Sequence, residues 1–154
     1  MIVAVWICVT IVVLGAFCIH QVWPAALVLL FMFEKGGDPK GLLNILPGGA
    51  VGLLLAAELP HLVGYIAPSL GLQPAILLAV GIFVFLIIAL GDVAHMFFNN
   101  YAFAYFTIAL IFHEQLTIEW LATLVLGGLF FVGGFMVFLQ LIMKATGKTL
   151  AQLS

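Results

Sequence analysis

Residues Asp92–His113, DVAHMFFNNYAFAYFTIALIFH, are apolar and numerous enough to cross a bilayer, yet they carry Asp92, His95, Asn99, Asn100 and His113. At about 100° per residue, Asp92, His95, Asn99, Ala102, Phe106 and His113 fall on one helical stripe roughly 80° wide. Twenty-one steps at about 1.5 Å span roughly 31 Å, the thickness of a hydrocarbon core. Each ionisable group at that depth costs about 2.5 kcal/mol or more, so a polar line there calls for a pathway, a partner or a cofactor.

The rest of the chain supplies the same setting repeatedly. Of 154 residues, 66% are hydrophobic and 6% charged, and the mean hydropathy is +1.38. A soluble domain carries about 25% charged residues. The expected class is all-α, a polytopic membrane helix bundle forming a single integral membrane domain over residues 1–154. A net charge of −2 gives no reason to expect a nucleic-acid partner. Cys8 and Cys18 lie ten positions apart in the first apolar segment. They fit no metal or disulfide spacing and are expected as reduced core residues. That segment lacks a basic region ahead of it and is expected to be retained as a helix.

About six spans are expected, at 2–20, 24–35, 42–58, 74–91, 93–113 and 120–143. Trp23-Pro24 opens the second, with proline in a first turn and tryptophan suited to an interface. Glu34–Gly41 is the clearest loop, with three glycines, a proline and four charges. In the third span Pro47 should kink the helix, and Gly48 and Gly52 should let another helix approach. Residues 59–73, broken by Pro60 and Pro68, read as a short interfacial or re-entrant piece. The fourth span has no polar side chain and is expected to face lipid. Six spans put Lys35, Lys40, Lys144 and Lys148 on one side, which makes both termini cytoplasmic by the positive-inside rule.

Two hairpins look alike. Trp23-Pro24-Ala25 and Gln73-Pro74-Ala75 each open a span, followed by an acid (Asp38, Asp92), an asparagine (Asn44, Asn100) and a glutamate (Glu58, Glu114). This is the pattern of a parallel internal repeat; in so apolar a sequence, coincidence is the competing explanation.

Asn44 and Glu58 share a face of the third span with Lys40. Amides that both donate and accept suit a neutral solute or a partly dehydrated ion. The competing role for Asn44, Asn99 and Asn100 is interhelical hydrogen bonding. Asp92 three residues before His95 suggests a proton-responsive pair, since a carboxylate favours the imidazolium. The plainer alternative is Asp92 as a helix cap with His95 reaching for the interface. Phe106 is the candidate hydrophobic constriction, against simple packing. Metal and haem patterns, nucleophile elbows and phosphate loops are missing from the sequence, so no cofactor, metal or enzymatic activity is expected.

KGLLNILPGGAVGLLLA (40–56), FFNNYAFAYFTIALIF (97–112) and a last helix with Trp120, Gly127-Gly128 and Gly133-Gly134 resemble a family of small bacterial inner-membrane proteins of unknown function. That resemblance implies a multi-pass inner (plasma) membrane location. Asp38-Pro39-Lys40, Asn44 and Gly48-Gly49 also resemble the opening of the proton-gated urea/amide channel family, which lacks a helix ahead of it. The function expected is a homo-oligomeric channel or transporter for a small polar solute or ion. Its path would be lined by Asn44, Glu58, Asp92, His95, Asn99, Phe106 and His113. The alternative is a non-transporting membrane subunit that scaffolds or regulates a larger complex.

Overall fold

The computed structural model describes residues 2–16, 21–112 and 117–146, which form helices and turns only. In chain order these are α1 (Ile2–Ala16), α2 (Trp23–Glu34), a 3₁₀ turn (Pro39–Gly41), α3 (Leu42–Leu70), α4 (Leu72–Gly91), α5 (Asn100–Ala109), α6 (Thr117–Ala122), a π turn (Thr123–Gly127) and α7 (Gly128–Thr146). The all-α expectation holds. Three helices are long and apolar enough to cross a membrane: Pro39–Leu70, Leu72–Gly91 and Ile118–Phe138.

Two expected boundaries are wrong, for identifiable reasons. Residues 59–73 are not a separate interfacial piece. α3 runs unbroken through Pro47, Pro60 and Pro68 to Leu70, roughly 43 Å at about 1.5 Å per residue. Each proline removes one helical N–H, a loss that a helix tolerates when apolar packing holds it on both sides of the defect. What ends α3 is Gly71, whose φ of +84° is open to glycine without steric cost. α4 starts at the next residue, so α3 and α4 form an antiparallel pair with a one-residue hinge.

The second correction concerns the polar helix itself. Residues 92–99 are turns, and α5 begins only at Asn100. The stripe of Asp92, His95, Asn99 and Phe106 therefore does not lie on one helix. α5, with ten residues, is about 15 Å long and cannot cross a membrane alone. The proposed hairpin repeat is likewise not kept in helix lengths, since α3 has 29 residues and α5 has 10.

The core is built around α2, α3, α5 and the α6–α7 rod. Ala25, Val28, Ile45, Leu53, Ala102, Tyr105, Phe106, Leu124 and Phe131 are its most deeply buried members. α4 contributes one narrow stripe, Ala75, Ala79, Phe83 and Ile87, each four residues after the last. Its other faces are exposed, as expected for a lipid-facing helix. Beyond Leu59 the α3–α4 pair packs largely on itself, around Val63, Ala75 and Ala79. α1 is held by Trp6, whose indole N–H donates to the Phe131 carbonyl at 3.0 Å. Cys8, expected in the core, is exposed on α1, a helix that among the described residues packs chiefly against α7. Cys18 lies outside the described residues.

Glycines set which helices touch. A side chain at Gly48, Gly49 or Gly52 would meet Asn99, Tyr105 or the α5 backbone. One at Gly127 or Gly128 would meet Ala25 or Val28, and one at Gly134 would meet Trp6. The close approach of another helix expected at Gly48 and Gly52 is thus made inside the chain. The π turn at Thr123–Gly127 brings the Gly127-Gly128 pair onto α2.

Candidate functional site

The site starts from one asparagine. Asn99 is the N-cap of α5 in extended conformation, and its Oδ1 accepts from the Tyr101 and Ala102 N–H groups at 3.0 and 3.1 Å. Asparagine favours this position because its short amide satisfies N–H groups that have no helical acceptor. The Nδ2 of the same side chain donates to the carbonyls of Asn44, His95 and Met96, each at 3.1 Å. One residue thus starts α5, closes the preceding turn and ties both to the first turn of α3.

Asn44 and Asn99 do converge, as the sequence suggested, but through the main-chain carbonyl of Asn44. The asparagines act as a bridge between helices. Asp92 sits at the C-terminal end of α4, so it does not cap the first turn of a helix; Asn99 does that for α5. A carboxylate beside the negative end of a helix is electrostatically unfavourable, and Asp92 is exposed there. Among the described residues the ion pair within 4 Å joins His61 and Glu58 at 3.7 Å, so Asp92 and His95 are not paired.

These groups surround a recess of about 410 Å³ lined by Ile87, Ile88, Gly91, Asp92, His95, Phe98, Asn99, Asn100 and Phe103. Its lining is more apolar than polar, with Asp92, His95, Asn99 and Asn100 as the polar members, and it is set between the end of α4 and the start of α5. Asn100, read as a second bridging amide, instead lies exposed on its rim.

The other predicted path residues lie elsewhere. Phe106 is 1% exposed and packs edge-on against Phe83 at 5.9 Å, so it fills the core between α4 and α5. Glu58 is exposed on α3, sixteen residues after Leu42, roughly 24 Å further along the helix. His113 lies outside the described residues. The α3–α5 seam expected to line a path is closed: a Cβ at Gly52 would overlap the Ala102 carbonyl and come within 2.9 Å of the Phe106 nitrogen. Backbones that close leave no room for a solute.

The sequence did not single out Tyr105. Its hydroxyl donates to the Pro24 carbonyl at 2.6 Å from a fully buried position, fastening α5 to the first turn of α2. Around that turn Trp23 stacks on Phe112 at 5.3 Å and meets Trp120 edge-on at 5.4 Å. The opposite end of the bundle carries Lys35 and Lys40 in the α2–α3 loop and Lys144 near the end of α7. A cavity lined by Gly36, Gly37, Gln140 and Met143 shows that these two segments adjoin. The chain matches no family model, no curated protein and no solved structure, so what it does must be argued from its own residues.

Proposed function

We propose that this chain is a multi-pass membrane subunit that scaffolds or regulates a larger assembly and does not conduct through its own bundle. The observation that carries this reading is the closed α3–α5 seam at Gly48, Gly49 and Gly52. Asn99, central to the expected path, is spent on a helix cap and a turn, and Phe106 is core. In this reading the lysine end, with Lys35, Lys40 and Lys144, is cytoplasmic, and the Trp23–Phe112–Trp120 cluster lies toward the other interface. Exposed apolar faces on α3, α4 and α7 then meet lipid or a partner subunit.

A second reading keeps transport of a small polar solute or ion, and one observation favours it: the recess at Asp92, His95 and Asn100. A path using it would run along the α4–α5 surface, completed by another copy. Purified protein in liposomes, screened for flux of urea, short amides, carboxylates and monovalent ions, separates the two. Scaffolding predicts no flux and recovery of the native protein in a larger complex. Flux that His95→Ala abolishes with assembly intact would establish transport. Asn99→Leu is unsuitable for this purpose, because it removes the cap of α5.

A further inference from the structure

Glu58 and His61 lie one turn apart on α3, with a carboxylate oxygen 3.7 Å from the imidazole Nδ1 and the side chains 69% and 80% exposed. Leu54 and Tyr65, both exposed, continue the same face at the spacing i, i+4, i+7, i+11. Gly52, Ala56 and Val63, all buried, occupy the opposite side, where α4 and α5 pack. Leu54, Glu58, His61 and Tyr65 thus form an outward stripe with an ionisable pair at its middle.

No depth in a bilayer suits this stripe in a lone chain. α4 has 20 residues, none of them ionisable, and at about 1.5 Å per residue it matches a hydrocarbon core of roughly 30 Å. With α4 inside the hydrocarbon, the part of α3 that runs back along it from the Gly71 hinge is inside too. Glu58, twelve residues before Leu70, then sits roughly 18 Å from the hinge, near the middle of the core. An ionisable side chain facing lipid at that depth is strongly disfavoured. Moving the edge of the bilayer to His61 frees the pair but puts the end of the α3–α4 hairpin in water. Tyr65, Leu70, Leu72 and Leu77, each more than half exposed there, make an apolar surface too extensive to leave bare. Either position calls for protein against this part of α3.

We propose that the cover is a second copy of this chain, related to the first by a two-fold axis parallel to α3. Such an axis keeps equal residues at equal depth, so Glu58 of one copy and His61 of the other differ in height by about 4.5 Å. The two residues lie about 60° apart around the helix, one on each side of the stripe's centre line. The symmetry therefore brings each Glu58 to the other copy's His61 and keeps the two carboxylates apart. One acid and one base, offset in this way, make the stripe complementary to itself. A partner bearing a lone acid or a lone base would leave half of the pair unmatched. Leu54 and Tyr65 close the contact on either side, and in that low-dielectric setting the carboxylate–imidazole bonds strengthen. The pairing rests on insertion in a membrane and is separate from the larger partner of the scaffold reading.

The test uses full-length protein on a Cys8→Ser/Cys18→Ser background, reconstituted in liposomes, with association read by energy transfer between copies labelled at Lys144→Cys. Glu58→His and His61→Glu each leave a stripe of like groups and should weaken association at least tenfold. Mixed in equal amounts, the two variants should associate as the unsubstituted chain does, because each supplies the group that the other lacks. Without the label, Leu54→Cys and Tyr65→Cys should each give a disulfide-linked dimer on mild oxidation. Leu77→Cys, on the outer side of α4, should not. Thermal unfolding of each variant in dilute detergent should match the unsubstituted chain, which separates lost association from lost folding. Undiminished association of both single variants, no recovery in the mixture, or cross-linking at Leu77→Cys in place of Tyr65→Cys would overturn the pairing. A chain that stays single yet is recovered in a larger complex would end the pairing and leave the scaffold reading standing.

Discussion

The side-chain amide of Asn99 donates to the main-chain carbonyl of Asn44, 3.1 Å away and 55 residues earlier in the chain. Its oxygen meanwhile accepts two N–H groups of α5. Replacing Asn99 by leucine should therefore destabilise the protein by about 1–2 kcal/mol through the lost cap alone. Asn99→Asp keeps an acceptor for the cap but loses the donors to Asn44, His95 and Met96, and should fall between wild type and leucine. Detergent-solubilised thermal unfolding measures the order; a leucine variant as stable as wild type contradicts the capping role.

Gly52 and Gly64 lie on the same helix in opposite circumstances. A Cβ at Gly52 meets backbone atoms of Ala102 and Phe106, whereas one at Gly64 meets nothing within 4 Å. Gly52→Ala should cost about 1–3 kcal/mol by forcing α3 and α5 apart. Gly64→Ala should be neutral, or stabilising by up to about 1 kcal/mol from helix propensity. Equal stability of the two variants would show that the seam is not close-packed.

Tyr105→Phe removes the 2.6 Å bond to the Pro24 carbonyl and little else, since the ring keeps its contacts with Phe31 and Trp23. The expected loss is about 0.5–1.5 kcal/mol. A larger tryptophan fluorescence change than the stability loss implies is also expected, because Trp23 lies 6.0 Å from the Tyr105 ring.

The proposed orientation makes a labelling prediction. In a background lacking Cys8 and Cys18, cysteines at Lys40 and Lys144 should react with a membrane-impermeant reagent from the same face of a sealed vesicle. One at Ser69, beside the Gly71 hinge, should react from the other. Labelling of Lys40→Cys and Lys144→Cys from opposite faces would overturn the proposed orientation.

His61 and Glu58 test the weakest contact. Both side chains are well exposed and 3.7 Å apart, a geometry that contributes at most about 1 kcal/mol and often nothing. Glu58→Gln should leave unfolding unchanged.

Composition and hydropathy settled the helical class, the apolar character of its helices and the lipid-like faces of α4, because those are properties of single segments. The clustering of lysines near one end was legible for the same reason. Asn99-Asn100 ahead of Tyr-Ala-Phe-Ala-Tyr-Phe was in fact a readable N-cap signal; the even apolar run on both sides masked it and made one long helix seem continuous. Three prolines likewise suggested breaks in α3 that packing overrode. Only the tertiary structure decided that Gly48, Gly49 and Gly52 close on α5, that Phe106 is core, and that Glu58 and His61 stay uncovered on α3. Those outcomes depend on which helix lies against which, and a one-dimensional pattern of polarity carries no record of the distance between two backbones.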